Sequence, residues 1–116
     1  MANSYRDLKV WQRAIEMSLA IYSLTSGFPK DEMYGLTSQL RRAGVSVASN
    51  IAEGYGRGSR GDYKQFLSIA RGSVFEVQTQ VFIAGELGYG NPVTRAAVDN
   101  LSNEVSKMLY ALMDKL

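Results

Sequence analysis

The sequence predicts an all-α chain, folded as an antiparallel up-down-up-down four-helix bundle. Three observations carry that prediction. Apolar residues recur at steps of three and four through four long segments, and no segment alternates like a strand. The connectors between segments are short, which favours antiparallel neighbours. The third segment holds an unbroken heptad seam, which predicts shallow crossing angles. At 116 residues the chain is a single domain, 1–116, large enough to bury a core without staples.

The first helix is expected over about Tyr5 to Leu24, with Leu8, Trp11, Ile15, Leu19 and Tyr22 as its apolar seam and Arg6, Lys9, Arg13 and Glu16 opposite. Trp11 reads as a core anchor or, in the sharper alternative, a stacking platform for a base. Ser26-Gly27-Phe28-Pro29 ends this helix. Gly27 suits a left-handed cap and Pro29 cannot continue the ladder. Lys30-Asp31-Glu32 then opens the second helix, placing two carboxylates near the positive end of its dipole.

The second helix is expected over about Asp31 to Tyr55, with the seam Leu36, Leu40, Ala43, Val47 and Ile51. Gly44, Ser46, Ala48 and Ser49 suggest close approach of a neighbouring helix, since a mid-helix glycine otherwise costs about 1 kcal/mol. Beside the seam runs a polar stripe of Gln39, Arg42, Ser46, Asn50, Glu53 and Arg57. It reads as solvated surface, an ion-pair ladder or an interface lining, and the residues alone leave these open.

Gly54 to Gly61 form a glycine-rich turn. No GK[ST] follows and no strand precedes it, so it is not a P-loop. One reading is a helix end, a tight turn and Ser59 capping the next helix with Asp62 three residues on. The other is a flexible basic loop whose amides and arginines meet phosphate. The third helix is expected over about Arg60 to Leu87. Its seam is Tyr63, Leu67, Ala70, Val74, Val77, Val81 and Ala84. Phe66, Phe75, Phe82 and Ile83 widen its apolar surface beyond that seam, which suggests self-association. Arg60, Lys64 and Arg71 share one face, with Gln78 a heptad further on. Asn91 caps the fourth helix and Pro92 takes its first position. That helix runs from about Pro92 to Leu116 and buries Val98, Leu101, Val105, Met108, Leu109 and Leu112.

Composition narrows the function. Cysteine and histidine are absent, which removes disulfides, thiolate nucleophiles, Cys/His zinc sites and imidazole catalysis. No cofactor is expected. No apolar run approaches a membrane span, and the opening MANSYRDLKVW lacks the pattern of a secretory signal, so the expected compartment is the cytosol. The net charge is only +2, yet between Arg41 and Arg71 six cations face Glu53 and Asp62, for a local +4 against −2 elsewhere. A basic central hairpin points weakly to an anionic partner.

The runs L-x-V-W-Q-x-A (Leu8 to Ala14), FPKDEMYGLTSQLRRAGVSVASNIAEGYGR (Phe28 to Arg57) and S-x-x-DY-x-x-FL-x-IARGS (Ser59 to Ser73) carry a resemblance. They closely resemble the four-helix bundle proteins encoded in intervening sequences of bacterial 23S ribosomal RNA genes. That family is similar in turn to the accessory variability protein of diversity-generating retroelements. The match covers nearly the whole chain and is specific in its middle third; the last helix matches only in type. The resemblance implies a homopentamer, with bundles arranged as a barrel around a channel and basic surface for nucleic acid. No enzymatic activity carries over. The modest net charge departs from the retroelement relative.

Three functions compete on this reading. In the first, a non-catalytic oligomer binds RNA or another polyanion. Arg41, Arg42, Arg57, Arg60, Lys64 and Arg71 contact phosphates, and Tyr55 and Tyr63 stack on unpaired bases. In the second, a structural or partner-binding oligomer uses its arginines for ion pairs with Glu53, Asp62 and Glu76. In the third, an enzyme uses Glu53 and Asp62 as an acid–base pair or Ser46 or Ser49 near Arg42 as a nucleophile, with no base visible for either serine.

Overall fold

The computed structural model describes residues 4–116. Four helices follow one another: α1 (Lys9–Thr25), α2 (Leu36–Tyr55), α3 (Arg60–Glu86) and α4 (Pro92–Asp114). Single 3₁₀ turns at Tyr5–Asp7 and Lys30–Glu32 precede α1 and α2. The bundle measures 43 × 24 × 20 Å, and its helices pack around a ring: α1 on α2, α2 on α3, α3 on α4, and α4 back on α1.

The seams of α2 and α3 lie where the periodicity put them. Leu40, Val47, Ile51, Leu67, Ala70, Val74 and Val77 are fully enclosed, and Tyr63 and Leu36 close the edges. In α4 the buried residues are Val98, Ser102, Val105 and Leu109, with Leu101, Met108 and Leu112 packed beside them.

The face of α1 differs from the expected one. Its core residues are Val10, Ala14, Met17, Ile21 and Leu24, also at steps of four and three. The expected seam lies more than a quarter-turn round, and Leu19 and Tyr22 are left 66% and 44% exposed. The reason is space. α1 carries two apolar stripes, and the narrow interior admits the one with Ala14 and unbranched Met17. Against α2, Ile21 takes the space left by Gly44, where an added Cβ would sit 2.7 Å from Ile21 Cδ1. Trp11 covers the rim of the core, half-buried, with its ring edge-on to Tyr5 at 5.3 Å.

The helix ends follow their capping chemistry, with two corrections. Gly27 is not a left-handed cap: positive φ occurs, among the described residues, only at Gly88 (74°) and Gly90 (78°), in the α3–α4 connection. Gly27 N instead donates to Leu24 O within an ordinary right-handed ending. The second helix also begins later than expected. Lys30–Glu32 forms its own short turn, and the Glu32 carboxylate accepts from Leu36 N at 3.1 Å, so it caps α2 from outside. Asn91 caps α4 through Val93 N and Thr94 N, with Pro92 at the first position. Arg13 ties α1 to α4 by a bond to Glu104 (2.7 Å) and also bonds Glu16 of its own helix (2.6 Å), and these partners raise its already high pKa.

Candidate nucleic-acid interface

The α2–α3 hairpin holds every cation singled out in the sequence, so the site is built on it. Its turn is tight because α2 ends on bonds to its own last carbonyls. Gly56 N donates to Ala52 O and Glu53 O, and Arg57 N to Gly54 O. Ser59 Oγ then accepts from Asp62 N at 3.1 Å and starts α3. No residue of the turn has positive φ, and these amides are occupied. The turn is therefore a helix end plus a serine cap, and it lacks the left-handed residue of an αR–αL amide nest.

The six cations fall into three groups. Arg57, Arg60 and Lys64 stand at the hairpin tip. Arg57 Nη2 bonds Glu53 Oε2 at 2.8 Å and its guanidinium lies 4.8 Å from the centre of the Phe66 ring. Arg60 and Lys64 are exposed and belong to none of the ion pairs among the described residues. Arg41 and Arg42 sit roughly 24 Å away along α2, at about 1.5 Å per residue. Arg41 is half-buried: its Nε donates to Thr25 Oγ1 at 2.8 Å, and it stacks on Tyr22 at 4.6 Å. Arg42 is exposed beside a groove of about 410 Å³ between α2 and α3, lined also by Tyr34, Gln39, Ser46, Glu76 and Gln80. Arg71 stands on the far side of α3, 5.0 Å from the rings of both Phe75 and Tyr110. A single six-cation patch does not form.

The two tyrosines named as stacking candidates meet each other. Tyr55 and Tyr63 pack edge-on at 6.1 Å across the hairpin. Burial, and then the proximity of Tyr55, raise the Tyr63 phenol above its ordinary pKa. The polar stripe of α2 proves mixed. Ser46 and Ser73 share a hydrogen bond of 3.0 Å, Asn50 donates back to Ser46, and Gln80 reaches Gln39 at 3.4 Å. The stripe is thus partly an inter-helix polar contact and, at Arg57–Glu53, an ion pair. Glu53 is the one expected carboxylate engaged by an arginine; Asp62 and Glu76 are in no ion pair among the described residues.

Tyr110 and Phe75 are the neighbours that sequence reasoning misses as functional candidates. Phe75 reads there only as surplus apolar surface. Tyr110 is 60% exposed on α4, and only the register of α4 against α3 brings it to Arg71. Nothing in the sequence pattern sets that register. Among the described residues no group of three or more acidic, histidine or cysteine side chains is placed to hold a metal. Nor, among those residues, is any helix long and apolar enough to cross a membrane.

Fold and surface together define an all-α, antiparallel four-helix bundle whose candidate phosphate-binding cations are spread over one long hairpin. More narrowly, the chain belongs to the 23S rRNA-intervening sequence protein family, whose pattern matches residues 6–111. Among curated proteins, none matches. A crystal structure of a protein of unknown function from the S23 ribosomal protein family of Bacteroides thetaiotaomicron shares the fold. Its TM-score is 0.82 at 23% identity, over 90% of this chain and 95% of that one.

Proposed function

We propose that this protein is a non-catalytic, self-associating accessory protein that binds RNA, largely without regard to sequence, at the hairpin-tip end of the bundle. The observation that supports this reading is the lengthwise separation of charge. When each helix is divided at its midpoint, the half with the α2–α3 turn carries nine cations against six carboxylates, a net +3. The other half carries four against five, a net −1. A field of this kind favours a polyanion at one end. Membership of a family named for an insert in 23S rRNA genes makes RNA the first polyanion to try. Self-association, as the pentamer implied by the resemblance, multiplies a weak site through avidity.

The test is RNA binding across a salt series, with the assembled mass measured in the same buffers. Affinity is expected to fall steeply with salt. Replacing Arg57, Arg60 and Lys64 by Ala is expected to flatten the log–log slope by about 2, at roughly 0.7 for each single-strand phosphate no longer neutralised. Binding unchanged by that triple replacement would overturn the assignment. A second reading, a structural or partner-binding oligomer, draws support from the protein partners already held by Arg41, Arg57 and Arg71. An oligomer that retains no RNA at low salt would decide for it.

A further inference from the structure

We infer that the α3–α4 edge is a track for an unpaired nucleic-acid strand, with Arg71 meeting a phosphate and Tyr110 and Phe75 stacking on bases. This deepens the polyanion reading above and rests on it. Arg60, Lys64 and Arg71 lie within about 40° of one another around α3, with Arg71 between the other two, since offsets of four, seven and eleven residues nearly complete whole turns. They span roughly 16 Å along the axis. The flank they occupy is the one turned to α4: Arg71 touches Tyr110, and Gln78, a heptad on, bonds Ser102 and Asn103 of α4. The three cations form no ion pair among the described residues.

Arg71 itself points to an anion. Its Nε is buried and has no hydrogen-bond partner, while its guanidinium is bracketed by two rings. Those rings restrain the side chain, so its charge is presented without a further ordering cost. Phe75 and Tyr110 nevertheless remain 46% and 60% exposed, which leaves π surface for another planar group. A duplex hides its base faces and gains nothing from such rings. An unpaired strand gains from both the cations and the aromatics. Tyr55 and Tyr63, the stacking candidates at the tip, pack edge-on against each other and are each half-buried, so this edge offers the more exposed rings.

The experiment uses the full chain in its native assembly with two labelled probes of equal length, an oligouridylate strand and an RNA duplex, at low salt. Tyr110→Ala is expected to weaken the single strand about fivefold or more, by the usual worth of one stacked base. Duplex affinity should stay within a factor of about two, and Tyr110→Phe should restore strand binding. Equal losses on both probes, or none, would overturn the track while leaving polyanion binding in place. A drop in assembled mass with Tyr110→Ala would also overturn it, by making the edge a subunit contact. If wild-type protein binds neither probe, the polyanion reading falls and the track with it.

Discussion

Gly54 shows how finely single positions are set. An added Cβ there would lie 2.7 Å from Phe66 Cβ and 3.3 Å from Tyr63 O, atoms on the main chain or next to it that cannot swing aside. Gly54→Ala is therefore expected to destabilise the fold by about 1–3 kcal/mol, the usual cost of overpacking, as a denaturant midpoint would read. Tyr63, packed over this glycine, offers a second measurement. Its phenol titrates above the ordinary range because burial disfavours the phenolate. The Tyr89 phenol is raised as well, by desolvation and then by its bond to Glu32. The unfolded chain ionises both near the ordinary value of about 10. Their contribution to stability is thus intact below that pH and is lost as pH rises through the shifted values. An absorbance titration should show phenol ionisation above the ordinary range, and Tyr63→Phe should remove one such late phase.

At the scale of the helix, α3 depends on its start and tolerates change at its outer face. Ser59→Ala removes the acceptor for Asp62 N and is expected to cost about 1 kcal/mol. Gly72 lies mid-helix, exposed, and a Cβ there meets nothing within 4 Å. Gly72→Ala should therefore stabilise the isolated bundle by about 0.5–1 kcal/mol in thermal melts. If the same change lowers the assembled mass, a neighbouring subunit lies against that face. α3 is legible in the sequence because one heptad seam dominates it and Ser59 signals its start. The face of α1 is not, since two apolar stripes compete and only packing against Gly44 chooses between them. The start of α2 misleads for a related reason: Asp31 and Glu32 do lie at the helix N-terminus, but on a separate turn. Of the candidate site, the cations are legible as a composition of one hairpin. Their division among three places depends on helix length and rotation, and the Arg71–Tyr110 contact depends on a register that no local pattern encodes.

For the molecule as a whole, the division of charge between the two ends of the bundle makes assembly symmetry decisive. Subunits related by a ring axis running along the bundles would bring every positive end to one rim, so a modest surplus on each copy would sum to a strongly cationic mouth. Subunits paired head against tail by a two-fold axis would set opposite poles side by side and largely cancel the far field. The same 116 residues would then attract a polyanion or ignore it according to how the copies are turned, with no side chain altered.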